Sequence, residues 1–146
     1  MRIEAFLRES PMFTVKRAAR HFDRIAAEAF SPDDLGFMEG LLLAAIFFEA
    51  PRSIKPSLLA ETFATTRGNV SHAISSLEAK GLVQRRIDPA DARGTLLALK
   101  PAGKKSALRT IAAFDRMQQK FEQKVGKTAL KNALDVIRAL ESCHRP

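Results

Sequence analysis

The sequence predicts a mainly α-helical fold that contains one small β-hairpin. Apolar residues recur at helical spacing along most of the chain, and proline, glycine and hydroxyl signals divide these stretches into separate helices. Only two runs are β-compatible, residues 82–87 and 95–99, and they lie close together. With 146 residues, 46% hydrophobic and 27% charged, the chain has the composition of a globular protein with a sizeable core. We therefore expect a single domain that spans residues 1–146.

The first half of the chain contains two strong helix signals. Residues 1–10 show no firm periodicity, whereas Ser10-Pro11 is typical of a helix start because proline is favoured at the first helical position. Ser31-Pro32-Asp33-Asp34 predicts the start of the next helix, which we expect to run to about Glu49 and to end at Ala50-Pro51. Its segment LLLAAIFF is apolar on every side, which predicts a position at the centre of the fold. The alternative is that residues 32–40 form a loop.

The second half begins with two short helices and a hairpin. Ile54 is expected to form a short strand and Pro56 to open the first helix, while Thr66 is placed to cap the second and Gly81 to end it. The two β-compatible runs are seven residues apart, which predicts a hairpin with a long, charged tip at residues 88–94. Pro101 opens another helix, Gly126 interrupts it, and a last helix starts at about residue 127.

The second of these short helices has an unusual outer face. Its apolar side chains recur at i, i+3, i+4 and i+7, at Val70, Ala73, Ile74 and Leu77. The opposite face carries short side chains without a carboxylate, at Gly68, Ser71, His72, Ser75 and Ala79. An exposed face of this kind, in a basic chain, suits close approach to a polyanion.

The basic charge is concentrated around this helix. Residues 52–109 hold eleven Lys or Arg and four Asp or Glu, a net charge of +7 out of +8 for the whole chain. A localised basic patch is the electrostatic feature expected of a protein that binds the phosphate backbone of nucleic acid. A solvated basic surface without a function is the alternative that charge alone leaves open.

Helix, turn, helix and basic hairpin form a winged helix-turn-helix, and with helices on both sides the chain resembles the MarR family of bacterial transcriptional regulators. The resemblance is carried by LAETFATTRGNVSHAISSLEAKGLVQRR, by the wing signature Asp91-x-Arg93-Gly94 and by LLALKPAG, and it covers residues 54–103. Three features depart from the family pattern. Lys100 stands where a Thr cap is usual, Ala92 stands where a basic residue is frequent, and the segment after Ser31 is several residues longer.

The resemblance implies a mainly α fold with a small β-wing, in which a winged helix-turn-helix at about 33–100 is flanked by dimerisation helices at about 10–30 and 101–144. It implies a homodimer that binds a palindromic operator in double-stranded DNA and represses transcription, and a small-molecule effector is an option. The implied dimer contacts are Phe13, Phe22, Leu130, Leu134, Ile137 and Leu140.

The implied DNA contacts lie on the second short helix and on the wing. Arg93 would enter the minor groove with its guanidinium oriented by Asp91, and Arg85 and Arg86 would support the wing or touch phosphates. The full set is Thr66, Arg67, Asn69, Ser71, His72, Ser75, Arg85, Arg86, Asp91 and Arg93. The competing interpretation is a winged helix that binds another protein and does not need a basic recognition face.

Other classes of function have little support in the sequence. No metalloprotease, phosphate-loop, nucleophile-elbow or paired-cysteine motif occurs, so we expect no enzyme, no cofactor and no metal. A zinc site drawn from His21, Glu141, Cys143 and His144 is a minor alternative, and Phe13, Phe22, Phe37 and Phe47 form either a ligand cavity or ordinary core.

The sequence also bears on the compartment. The longest apolar run has eight residues, against roughly 20 for a membrane span, and the charged N-terminal residues do not form a signal-peptide core. The single cysteine, Cys143, excludes an internal disulfide. We therefore expect no membrane segment and a cytoplasmic location.

Overall fold

The computed structural model of the chain describes residues 2–142, apart from the side chains of residues 91–93. Seven α-helices and two strands follow one another in this part of the chain. They are α1 (Arg2–Glu9), α2 (Pro11–Phe30), α3 (Phe37–Glu49), α4 (Pro56–Thr62), α5 (Arg67–Ala79), β1 (Val83–Asp88), β2 (Asp91–Leu99), α6 (Pro101–Val125) and α7 (Lys127–Ser142). The chain divides into two compact units, residues 1–110 and 111–146. None of the helices described is long and apolar enough to cross a membrane.

Most of the predicted helix boundaries are confirmed by local hydrogen bonds and dihedral angles. The Ser10 hydroxyl accepts a hydrogen bond from the Phe13 N–H at 3.3 Å, which caps α2. The Thr66 hydroxyl accepts one from the Asn69 N–H at 3.1 Å, which caps α5. Gly81 ends the α5 segment with a φ of 71°, the left-handed conformation that glycine adopts at low cost.

The predicted start of the central helix is wrong. Ser31–Asp33 forms a short 3-10 turn, and Asp34 adopts a φ of 52°, which stops the helix there. Helix α3 begins at Phe37, where the Gly36 N–H donates to Glu39 Oε2 at 2.7 Å. The sequence also did not predict α1, which lies in the residues without firm periodicity.

The core of the first unit forms around α3, as its apolar sequence predicts. Leu42 and Leu43 are fully buried, and Leu59 of α4 and Leu77 of α5 are equally inaccessible. Gly40 allows close packing here, since a Cβ at this position would lie 3.1 Å from the ring of Phe30. Of the two short helices of the helix-turn-helix, α5 packs against α3, and α4 packs against α5.

The wing is a two-stranded antiparallel hairpin with a shorter tip than predicted. Pairing runs from Val83 with Leu99 to Ile87 with Thr95, and after an irregularity Asp88 pairs with Asp91. Only residues 89 and 90 connect the strands, so the predicted seven-residue tip is wrong: β2 begins four residues earlier than expected. Ile54 forms a β-bridge to Leu97, which confirms its predicted strand contribution.

The second unit contains the end of α6 and all of α7. The two helices meet at Gly126, whose φ of 83° breaks the helical path as predicted. Its N–H donates to the Glu122 carbonyl at 2.7 Å, and the side chains of Lys127 and Glu122 approach to 3.7 Å. No residue of α7 is buried in the single chain.

Candidate nucleic-acid interface

The outer face of α5 is solvent-exposed, as its pattern predicts. Its apolar face is buried in the first unit, with Val70, Ile74 and Leu77 each at most 1% exposed. All five small or polar residues of the opposite face are exposed. A helix of 13 residues held by one face only can present the other to a groove of DNA.

The predicted contact residues on α5 fall into two groups. Asn69 donates to the Thr65 hydroxyl at 3.1 Å, and Ser75 accepts from Arg85 at 3.3 Å, so both side chains are already engaged. The side chains of Arg67, Ser71 and His72 are exposed, and no hydrogen bond or ion pair engages them within residues 2–142. This second group is available to a ligand without breaking an internal contact.

Arg85 connects the wing to α5. Its Nε donates to Glu78 Oε2 at 3.0 Å, in addition to the contact with Ser75. The planar guanidinium therefore joins β1 to two successive turns of the helix. Of the two roles that the sequence left open for this residue, supporting the wing is the one that its geometry favours.

Asp88, which the sequence analysis did not single out, holds the tip of the wing. It is 7% exposed, accepts a hydrogen bond from the Ala90 N–H at 2.9 Å, and pairs with Lys55 at 3.0 Å. The hydrogen bond from Ala90 and the Lys55 ammonium lower the pKa of its carboxyl. This pair ties the tip to the residue before α4. The sequence Asp88-Pro89-Ala90 is typical of a turn, and this pattern could have identified Asp88 as a structural residue.

The remaining wing residues are only partly visible. Arg86 is exposed on β1. Residues 91–94 belong to strand β2, but the side chains of Asp91 and Arg93 lie outside the described part of the structure. The expected Asp91–Arg93 pair therefore stays a prediction from the family resemblance.

Glu39 is the second residue that the sequence analysis missed. It is 8% exposed, and both of its oxygens lie 3.1 Å from the Lys80 ammonium at the C-terminal end of α5. Burial disfavours its charge, but hydrogen bonds from Ser76, Gly36 and Lys80 outweigh that penalty and lower its pKa. Lys80 also donates to the carbonyl of Asp34. The end of α5 is thus anchored to the start of α3.

The ion pairs reveal which basic residues remain free. Four cations in residues 52–109 have carboxylate partners: Lys55 with Asp88, Lys80 with Glu39, Arg85 with Glu78, and Arg109 with Asp33. Arg109 lowers the pKa of the Asp33 carboxyl, mainly through their hydrogen bonds. Six more cations have no such partner in the described part of the chain: Arg52, Arg67, Arg86, Lys100, Lys104 and Lys105. The charge without an ion-pair partner around α5 and the wing is therefore mostly positive, and Glu61 of α4 is an exposed carboxylate among these cations.

The predicted dimer residues lie on surfaces that are partly exposed in the single chain. Phe22 is 38% exposed on α2, and Leu134 and Ile137 are 42% and 38% exposed on α7. Phe13, Leu130 and Leu140 are half-buried. On α2 Phe22 also meets Phe37 edge-on, with ring centroids 5.4 Å apart.

The phenylalanines do not converge on one cavity. Phe13 lines a crevice with Leu7 and Arg17, whereas Phe47 lines a different one beside the wing. Within residues 2–142 no group of histidine, cysteine and carboxylate side chains is arranged to hold a metal. His21 contacts Arg24 at 2.8 Å, and Cys143 and His144 lie outside the described residues.

The geometry defines a winged helix-turn-helix in which α4 and α5 form the helix-turn-helix and β1 and β2 form the wing. Residues 33–94 match the family model of the MarR family. The resemblance inferred from the sequence is thereby confirmed over the winged helix-turn-helix, and members of the MarR family are transcriptional regulators and not enzymes.

Solved structures share this fold over most of the chain. The S. aureus MepR–DNA complex is 18% identical with a TM-score of 0.84, covering 91% of this chain and 97% of that one. A variant of MarR from E. coli in complex with operator DNA is 20% identical with a TM-score of 0.77, covering 87% and 90%. CouR from Rhodococcus jostii RHA1 bound to p-coumaroyl-CoA is 18% identical with a TM-score of 0.79, covering 96% and 97%. No curated protein matched the sequence.

Proposed function

We propose that the protein is a sequence-specific DNA-binding transcriptional repressor that acts as a homodimer on a palindromic operator. The observation that carries this proposal is the exposed, carboxylate-free face of α5, which lies beside a wing in a region whose unpaired charges are mostly cations. A surface of this kind neutralises phosphates and lets base edges approach side chains closely. Two of the solved structures with this fold, those of MepR and MarR, are complexes with DNA.

In this proposal α5 lies in the major groove and the wing lies along the adjacent backbone. Arg67, Ser71 and His72 make the direct contacts, because their side chains are exposed and unengaged. Thr66 caps the helix and directs its N-terminal N–H groups toward a phosphate. Arg93 enters the minor groove, as the family resemblance implies, since a narrow minor groove attracts arginine.

The homodimer would bring two winged helices to two half-sites about one helical turn apart, ~10 base pairs. Large apolar side chains remain exposed on α2, including Met12 and Phe22, and on α7, including Leu134 and Ile137. Exposed apolar surface on both units is what a dimeric protein would bury on association. The dimer would block transcription by occupying the operator in the cytoplasm, where the DNA is located.

Release by a small ligand is part of the same proposal. CouR, which shares the fold, was solved with p-coumaroyl-CoA bound. A ligand that changes the spacing of the two α5 helices in the dimer needs a differential affinity of only a few kcal/mol to switch the protein.

Selection of bound sequences from a random duplex pool tests the proposal. We expect an enriched site with two inverted half-sites whose centres are about ten base pairs apart. Enrichment of an asymmetric site would contradict the dimer and leave DNA binding intact. No enrichment over the starting pool would contradict specific DNA binding and favour a protein-interaction module.

A further inference from the structure

A large apolar side chain stands in solvent on the wing. Ile87 of β1 is 77% exposed, whereas the next most exposed large apolar residues, Phe6 and Phe48, are 67% exposed. Strand propensity does not by itself explain an isoleucine here, because threonine is also β-branched and occurs directly opposite, at residue 95. Removing the isoleucine side chain from water would be favourable, so a contact with a partner would gain from it.

The strand geometry places Ile87 on the side of the wing that faces α5. Side chains two residues apart in a strand point to the same face, so Ile87 shares a face with Val83 and Arg85. Val83 is buried in the core, and Arg85 reaches Ser75 and Glu78 of α5. Ile87 lies about 7 Å beyond Arg85 on this face, where the core no longer covers it. It therefore borders the space between the exposed face of α5 and the wing.

The surroundings of Ile87 are electropositive. Its neighbour Arg86 is exposed and has no carboxylate partner in the described part of the chain. On the other side, the negative charge of Asp88 is balanced by Lys55, 3.0 Å away. An apolar side chain among cations suits a partner that carries negative charge and apolar surface next to each other. The DNA backbone is such a partner, because its phosphates alternate with deoxyribose rings whose carbon atoms are apolar.

We propose that Ile87 packs against deoxyribose of the DNA strand that crosses between α5 and the wing. This inference rests on the proposed function and adds an apolar contact to the phosphate contacts of the cations. The thymine methyl group is the other apolar group that DNA offers, but it lies in the major groove, where α5 is placed. The backbone strand separates that groove from the one that the wing approaches, so its sugars lie nearest to Ile87.

Two substitutions of nearly equal shape test the apolar contact. Ile87→Val keeps an apolar, β-branched side chain and should bind the selected duplex within about fivefold of the parent. Ile87→Thr replaces one methyl group of that valine by a hydroxyl group and should bind at least about tenfold more weakly than Ile87→Val. Fluorescence anisotropy measures both affinities. Because the side chain is exposed, both variants should keep the urea unfolding midpoint of the parent.

The salt dependence separates this contact from those of the cations. The slope of log affinity against log salt should be the same for Ile87→Thr and the parent, because an apolar contact releases no counterion. Loss of a phosphate contact would instead make the slope shallower by about 0.9. A duplex with deoxyuridine in place of thymidine lacks the thymine methyl groups. On this duplex the valine and threonine variants should differ in affinity as much as before.

Each of the other outcomes contradicts a stated part of the proposal. Equal affinities of the two variants, or a shallower slope for Ile87→Thr, overturn the apolar contact. Loss of their difference on the deoxyuridine duplex assigns the contact to thymine and overturns the deoxyribose. Weaker self-association of Ile87→Thr in sedimentation equilibrium places Ile87 in the dimer interface instead. A parent protein that binds no duplex overturns the proposed function as well, whereas a parent that binds, with both variants equal to it, overturns this inference alone.

Discussion

Glu39 holds the C-terminal end of α5 against the start of α3. The carboxylate receives the Gly36 N–H at 2.7 Å and the Lys80 ammonium at 3.1 Å, so it joins the start of α3 to the end of α5. Without Glu39, Lys80 would be one more cation without a close carboxylate partner beside α5. The positive charge of Lys80 is therefore neutralised by Glu39, and the resulting ion pair connects α5 to α3.

Glu39→Gln should lower the free energy of unfolding by about 1–2 kcal/mol at pH 7, because one charge-assisted contact is lost. The folded-state pKa of Glu39 is depressed below its usual 4.5, so its stabilisation is present above that pH and disappears as the pH falls through the folded pKa. Urea unfolding followed by circular dichroism at pH 7 and pH 3 measures the free energy of unfolding of the variant and of the parent. The variant and the parent should differ at pH 7, and the difference should shrink as the pH falls toward 3.

The control for this prediction is Glu61→Gln, which removes an exposed carboxylate from the neighbouring helix α4. Its unfolding should match that of the parent at both pH values. A constant difference between Glu39→Gln and the parent across the pH range would show that the ionised form of Glu39 contributes nothing.

Arg67→Ala separates DNA contact from folding. Arg67 is exposed and unengaged within the described residues, so its removal should leave the unfolding midpoint unchanged. Loss of a direct DNA contact should cost about 1–3 kcal/mol, or roughly tenfold or more in affinity. Fluorescence anisotropy with the selected duplex measures the affinity, and Lys131→Ala on α7 is the control of equal charge. Equal affinities of the two variants for the duplex would show that Arg67 does not contact DNA.

At the level of the elements, the junction between the wing and α6 depends on one glycine. The Lys100 N–H donates to the Leu82 carbonyl at 2.9 Å, and a Cβ at residue 103 would lie 1.9 Å from that carbonyl oxygen. Because both partners are backbone, neither can yield without moving the strand or the helix. The wing and α6 are therefore in backbone contact at Gly103.

Gly103→Ala should lower the free energy of unfolding by about 1–3 kcal/mol, the cost typical of overpacking a well-packed site. Gly68→Ala is the matched control, since its nearest neighbour is 3.8 Å away and alanine is the better helix former. It should raise the free energy of unfolding by up to about 1 kcal/mol. Thermal unfolding of both variants measures these changes. If both substitutions changed the free energy of unfolding in the same direction, the packing argument would be contradicted.

The sequence predicts those elements whose signals are local. Ser10, Thr66 and Gly81 each act through residues no more than a few positions away, and their roles follow from residue type and spacing. The start of α3 was misplaced because Ser31-Pro32-Asp33 is the better local signal. Asp33 is instead used by Arg109, 76 positions along the chain, and a sequence pattern does not reveal such a partner.

In the candidate site too, features with local signals could be predicted from the sequence, and features that depend on distant partners could not. The exposed face of α5 follows from helical periodicity, and the structure confirms that exposure. The roles of Glu39, Asp88 and Arg85 depend on tertiary contacts that only the fold brings together. The tip of the wing was predicted too long because the Asp-Pro-Ala stretch looks like a loop, whereas Lys55 and the Ala90 N–H hold Asp88 in a tight turn.

At the level of the whole molecule, the account requires a second copy of the chain. Leu134 of α7 is 42% exposed, and no residue of that helix is buried in the single chain. Leu134→Asp should therefore leave the monomer folded and weaken self-association, because a carboxylate would be buried unpaired in the dimer. Sedimentation equilibrium measures the association constant, which should fall at least tenfold.

Asn132→Asp is the control for the dimer prediction. It adds the same charge to an exposed residue two positions away, on the other side of α7, and should leave association unchanged. Equal association of the Leu134→Asp variant and the parent would show that α7 is not at the interface.

The central claim is that the exposed face of α5 and its unpaired cations bind the DNA backbone. The most direct measurement is the affinity for the selected duplex as a function of salt between about 50 and 200 mM. Each neutralised phosphate adds about −0.9 to the slope of log affinity against log salt, so a dimer that contacts six or more phosphates should give a slope of about −5 or steeper. A slope near zero, or no duplex binding even at ~50 mM salt, would contradict the account.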